Sequence, residues 1–308
     1  MGVFSSRPCV IVTPSCGHGG SSQCRGNSIA ISQEQQCLDF TADKIINAAH
    51  SLHFLERIPL KVRKTATFST HLPISNPFFE LQYRISQMTP AEKAEWTPQI
   101  RALDRADHKR RIPLTGVSKS LVSSLRDYVA ALHPTWTMAE FQKLYVKKVA
   151  AQFKCSLLNL IQVVLGIKCQ QATVFVSHAW CYNNKRFLSC VARLKNADNE
   201  HFWIDALTVN QFHDPSTHDF TWWSETFLKC IETIGKTTLV LFPYTNPIPL
   251  TRAWCLFEIF CTHHKNRDLD IVMDDRESRS FRSALDSRDF VFADWVARID
   301  LANAEARN

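Results

Sequence analysis

Glycine is scarce in this chain, with 8 among 308 residues, and neither a GxGxxG nor a GxxxxGK-Ser/Thr loop occurs. The backbone cradles that hold phosphates in dinucleotide-binding and P-loop proteins are therefore missing. A dehydrogenase or kinase of those types is disfavoured. No apolar run approaches the ~18 residues that a membrane helix needs. No apolar core of a secretory signal follows the start. Neither an integral membrane protein nor a Sec-secreted one is expected. No Cys or His pair stands at finger spacing, so His263-His264 and the His213/Asp214/His218 group read as surface histidines. No metal and no resident cofactor are expected. Internal repeats with periods of roughly 20–50 residues are also absent.

What is present is apolar and aromatic. The chain is 45% hydrophobic, with 20 Phe and 8 Trp, enough for a sizeable core, and its length suggests roughly two domains. Its 11 cysteines are odd in number and scattered through apolar segments. That pattern reads as free thiols in a reducing compartment, the cytoplasm, rather than a disulfide framework. Charge is uneven. Residues 1–150 hold 19 Lys+Arg against 11 Asp+Glu, a balance of +8, and residues 151–308 hold 17 against 18, a balance of −1. Lys61, Arg63, Lys64 and Lys109-Arg110-Arg111 supply much of the excess. They read first as a solvated face and second as a surface for anionic lipid or nucleic acid, with no specific nucleic-acid recognition expected.

The pattern divides the chain into three parts. Residues 1–35, with Gly17-His18-Gly19-Gly20, have little periodic apolar content and read as a flexible leader. Residues 36–165 read as a mainly helical basic region. Helices are expected over Leu121–Leu132 after Ser118 and over Met138–Phe153 entered through Thr137, and prolines break the middle into short pieces. From 166 to 308 short apolar runs alternate with helical segments. Strands are expected at Ala172–Ser177, Phe202–Asp205, Thr237–Phe242 and Leu269–Met273, with helices at Lys185–Asn196, Trp222–Ile234 and Thr251–Lys265. Strand–helix repetition with right-handed crossovers predicts a doubly wound parallel α/β sheet.

Ligands of such sheets bind beyond the carboxyl ends of the strands. Those ends here are Ser177-His178-Ala179-Trp180, Trp203-Ile204-Asp205 and Pro243-Tyr244, followed in the second case by a long loop, Ala206 to Thr221, with Asn210 and Gln211. Ser177 and His178, adjacent on a strand, point to opposite faces and cannot form a nucleophile–base pair. In the third helix, capped by Thr251, the residues Ala253, Leu256, Ile259 and Phe260 make an apolar stripe expected to face the sheet. Glu258 lies nearly opposite that stripe, with Trp254 on its face. Two readings stay open from spacing alone: an exposed glutamate beside an indole, or a carboxylate in a partly dry cleft.

These residues carry a resemblance. Val174-Phe175-Val176-Ser177-His178-Ala179-Trp180, then Phe202-Trp203-Ile204-Asp205 with Asn210-Gln211, then Leu250-Thr251-Arg252-Ala253-Trp254-Cys255-Leu256-Phe257-Glu258-Ile259 resemble a TIR-like domain of a divergent eukaryotic branch, over about residues 165–275. The resemblance implies a flavodoxin-like sheet of four to five strands, with a weak fifth at Phe290–Phe292 or a helical tail. It also implies a signalling domain. Several TIR domains cleave NAD to nicotinamide and ADP-ribose products. By resemblance Glu258 matches their catalytic glutamate, and Trp254 and Cys255 its neighbours. Ser177, His178 and Trp180 match the pocket segment, and Asp205 the acidic end of the second strand. NAD is then a substrate, and Trp180 or Trp254 a stacking platform. Homo-oligomers are a family expectation, although the long loop after the second strand lacks the usual Gly-rich assembly motif. The alternative is a non-catalytic nucleotide-sensing or protein-interaction module.

The start, Met1-Gly2-Val3-Phe4-Ser5-Ser6, fits the N-myristoylation pattern at Gly2, with Cys9 as a candidate for a second acyl chain. One myristoyl chain holds a membrane only marginally. The second chain and the basic first half together would attach the protein to a cytoplasmic membrane face.

Overall fold

The structure, a computed structural model, describes residues 76–110, 113–194, 199–212 and 220–287. Gly2, Cys9, His213, Asp214, His218 and Phe290–Phe292 lie outside the described residues, as does most of the basic cluster. In chain order the elements are α1 (Pro77–Gln87), α2 (Pro90–Arg110), β1 (Thr115–Ser118) and α3 (Lys119–Leu132). Then comes α4, continuous from Met138–Phe141 through a π turn, Gln142–Val146, into Lys147–Ala150. It is followed by α5 (Leu157–Leu165), β2 (Gln170–Gln171), β3 (Val174–Ser177), α6 (Asn184–Ala192), β4 (His201–Trp203) and α7 (Asp205–Thr208). Last are α8 (Phe220–Ile234), β5 (Lys236–Val240), a 3-10 turn at Ile248–Thr251, α9 (Ala253–His264), β6 (Asp268–Val272) and α10 (Asp275–Asp286).

Local chemistry explains several boundaries. Ser118 caps α3 by accepting from the Leu121 N–H, and Thr137 opens α4 in a capping box with Glu140. Gly166 ends α5 at φ 66°, in the left-handed region where a glycine carries no Cβ penalty.

The sheet has six strands in the order β2-β1-β4-β3-β5-β6. β4, β3, β5 and β6 are parallel, while β1 runs antiparallel to both β2 and β4. The sheet is therefore mixed and larger than the parallel sheet of four to five strands that the sequence suggested. It also crosses the expected boundary at 165/166, because Val117 pairs with Phe202 and Ser118 with His201. The segment Thr115-Gly116-Val117-Ser118 carries no apolar run, which is why it did not read as a strand. No helix among the described residues is long and apolar enough to cross a membrane.

The strands alternate between two apolar layers. Val174, Val176, Phe202 and Ile204 enter one layer with helices of the first half and α6 (Phe187, Leu188, Val191). Phe175 and Trp203 enter the other, against Phe227, Cys230 and Ile231 of α8 and Cys261 of α9. Phe175 and Trp203 stack at 4.6 Å between ring centroids, and Phe227 meets both edge-on. β3 and β5, almost wholly buried, are the strands that read as nearly continuous apolar runs in the sequence.

Candidate functional site

A cleft of ≈190 Å³ opens beyond the carboxyl ends of β3 and β4. Its walls are His178, Trp180, Asp205, Val209, Gln211, Trp223, Phe227, Arg252, Trp254, Cys255 and Glu258. Of the residues singled out in the sequence, His178, Trp180, Asp205, Trp254, Cys255 and Glu258 line it directly, and Ser177 reaches it through Glu258. Asn210 turns away and donates to the Lys154 carbonyl at 2.8 Å.

The helix that brings Glu258 here is rolled relative to expectation. Arg252, not Thr251, precedes α9 as its cap; Thr251 belongs to the 3-10 turn and its hydroxyl donates to Ile248 O. The buried face is Cys255, Glu258, Cys261 and Thr262, while Phe260 is 59% exposed. The apolar stripe of Ala253, Leu256, Ile259 and Phe260 therefore does not face the sheet. Polar contacts account for the roll. The Thr262 hydroxyl lies 2.7 Å from the Glu258 carbonyl and 2.8 Å from the Thr237 hydroxyl of β5. Small Cys255 and Cys261 let the helix approach closely.

Glu258 is 8% exposed, and its carboxylate accepts a 2.5 Å hydrogen bond from Ser177 Oγ. Burial pushes its carboxyl up to about 8, nearby Asp205 adds to the rise, and the Ser177 hydrogen bond pulls the other way. Cys255 donates weakly to the His178 carbonyl at 3.5 Å; burial, with Glu258 nearby, pushes its thiol well up, which disfavours the thiolate.

Ser177 and His178 point to opposite sides of β3, as alternation requires. His178 stacks on Phe187 of α6 at 4.3 Å, with its Nδ1 3.3 Å from the Val176 carbonyl. A carbonyl can only accept, so Nδ1 carries the proton and Nε2 is left as an acceptor. Burial lowers the His178 pKa, keeping the ring neutral; Asp205 opposes that shift. Nε2 lies 3.8 Å from Asp205 Oδ1 and has no hydrogen-bond partner among the described residues. The Asp205 carboxylate accepts from Trp180 Nε1 at 2.8 Å and from the Ala206 N–H at 2.7 Å.

Sequence reasoning missed Gln142, Arg252, Trp223 and Phe227. Trp223 and Phe227 sit four residues apart on α8, a spacing that places both on one helix face. Gln142 had no signal, because it comes from the first half of the chain. Its Nε2 donates to Gln211 Oε1 at 3.0 Å, and Gln211 Nε2 lies 3.0 Å from each of the Asp205 and Val209 carbonyls. One turn earlier on α4, the Ala139 N–H donates to the Trp180 carbonyl at 3.0 Å. A ring of hydrogen bonds thus runs from α4 through Trp180, Asp205 and Gln211 and back to α4. The π turn that begins at Gln142 belongs to the same ring; such bulges recur at functional sites.

No group of three His, Cys, Asp or Glu side chains suited to a metal ion is found among the described residues. Comparison with family models, curated proteins and solved structures finds no match.

Proposed function

We propose that residues from about 166 onward form a TIR-like signalling domain that cleaves NAD to nicotinamide and ADP-ribose, with Glu258 as the catalytic carboxylate. The observation that carries this reading is the placement of Glu258. It is a buried, hydrogen-bonded acid in an aromatic cleft at the carboxyl ends of the parallel strands. The order β4-β3-β5-β6 supports a flavodoxin-like core, because it is the order 2-1-3-4 with which such sheets begin. The cleft then opens near the point where crossovers leave in opposite directions.

The chemistry needs little equipment. Nicotinamide in NAD is already cationic, so the N–ribose bond breaks with its electron pair going to the ring nitrogen, and no general acid is required. Water adds to the ribose carbon and releases one proton. An ionised Glu258 would stabilise the oxocarbenium-like transition state. The indoles of Trp180 or Trp254 offer a face for the planar ring.

A second reading is favoured by two observations. Glu258, with its carboxyl pushed up to about 8, is largely protonated at neutral pH. The cleft of ≈190 Å³ is also smaller than the ~300–1,000 Å³ typical of ligand sites. On that reading the domain senses a nucleotide, or docks partners, without turnover. Incubating the full chain with NAD while titrating ADP-ribose calorimetrically separates the two. Nicotinamide release supports the hydrolase, whereas tight ADP-ribose binding with no release supports the sensor.

A further inference from the structure

The floor of the cleft contains two acceptors that face each other. His178 Nε2 is a lone pair because Nδ1 is turned to the Val176 carbonyl, and Asp205 Oδ1 stands 3.8 Å away. That separation is too long for a hydrogen bond between them. His178 is buried and Nε2 has no partner among the described residues, and an unpaired buried acceptor costs free energy. A single donor atom placed about 2.9 Å from each would satisfy Nε2 and give Asp205 Oδ1, which already accepts from the Ala206 N–H, a second hydrogen bond at ordinary length. On the 3.8 Å base its two bonds diverge by roughly 80–85°. A water molecule has two protons and competes for this place, whereas a ligand hydroxyl has one and cannot serve both acceptors. An –NH₂ group can, with each N–H bent modestly from linearity.

We propose that His178 Nε2 and Asp205 Oδ1 form a two-acceptor subsite for a primary –NH₂ group carried on a planar aromatic ring. The ring is accounted for by the indoles of Trp180 and Trp254 in the same cleft. The inference rests on the reading that the cleft takes NAD or a similar dinucleotide. NAD offers two sources of this chemistry, the carboxamide of its pyridine and the amine of its purine. A carboxylate or a carbonyl in place of either group meets two acceptors with no proton to share, and with the carboxylate it also meets the charge of Asp205.

The test uses the full chain carrying Glu258→Gln, which keeps an acceptor for Ser177 and prevents turnover. Calorimetry compares NAD with its nicotinic acid analogue and its hypoxanthine analogue. If the carboxamide occupies the subsite, the nicotinic acid analogue binds at least tenfold more weakly than NAD and the hypoxanthine analogue binds as NAD does. If the purine amine occupies it, the order reverses. Adding His178→Phe, which keeps a ring on Phe187 but removes Nε2, reduces the discrimination to less than threefold. Asp205→Asn serves as an independent second variant, with recovery of affinity for the weaker analogue expected. Equal affinity for all three dinucleotides, or binding of none of them, overturns the subsite. Nicotinamide release by the unmodified chain separates this result from the parent reading. Turnover with equal affinities overturns the subsite alone, and discrimination without turnover overturns the hydrolase alone.

Discussion

At the scale of single residues, Glu258 couples function to pH. Its carboxyl, pushed up to about 8 mainly by burial, ionises around that pH, so NAD cleavage should climb between pH 7 and 9. Ser177 holds the charged form by hydrogen bonding, so Ser177→Ala should move the rise to higher pH; a rate–pH profile of the two proteins checks this. The same group acts on stability. Between its ordinary 4.5 and about 8 the folded protein keeps a proton that the unfolded chain releases. Stability therefore falls as pH increases through that window, by an amount on the order of a few kcal/mol. Glu258→Gln should flatten that decline, measured by denaturant unfolding at pH 5, 7 and 9. Much of this site was legible in the residues Trp254 and Glu258, four apart on a helix, and in the strand end Ser177–Trp180. The burial of the carboxylate was not, because spacing alone allowed an exposed glutamate.

At the scale of elements, α9 shows where amphipathic periodicity misleads. One of its two phenylalanines, Phe260, is outside, stacked on His264 at 5.5 Å, while Glu258 and Thr262 are inside. Polar partners on β3 and β5, invisible in a helical wheel, decide the roll. Phe260→Ser should then change stability by no more than about 0.5 kcal/mol, whereas Cys261→Leu, forced into a fully buried position, should cost about 1–3 kcal/mol. Thermal or denaturant unfolding of both variants measures the contrast. α4 gives the complementary case. Its N-terminus and Gln142 hold Trp180 and Gln211 from a segment that the sequence assigned to a different region. Gln142→Met keeps the volume and removes the donor. The expected effects are a loss of about 0.5–1.5 kcal/mol and a shift of the Trp180 indole N–H resonance.

At the scale of the whole molecule, the first half of the chain and the α/β half share one sheet and one apolar layer. At Gly116 the two halves approach closely: a Cβ there would meet Ala172 Cα at 2.8 Å and His201 Cβ at 2.9 Å. Gly116→Ala should therefore destabilise the fold by roughly 1–3 kcal/mol, as measured by equilibrium unfolding. The buried parallel strands were readable because both their faces are covered. β1 and β2 were not, since four and two polar-leaning residues leave no period to detect. The walls of the cleft come from the second half alone, α4 of the first half braces Trp180 and Gln211, and the chemistry turns on one carboxylate. The most direct measurement is nicotinamide release from NAD at pH 8.5 by the full chain and by Glu258→Gln, compared at equal protein concentration. The account predicts steady release by the unmodified chain and a loss of at least a hundredfold in the variant, in line with the ~10²–10³ seen when one preorganised electrostatic group is removed. No release by the unmodified chain, or equal release by both proteins, would contradict it.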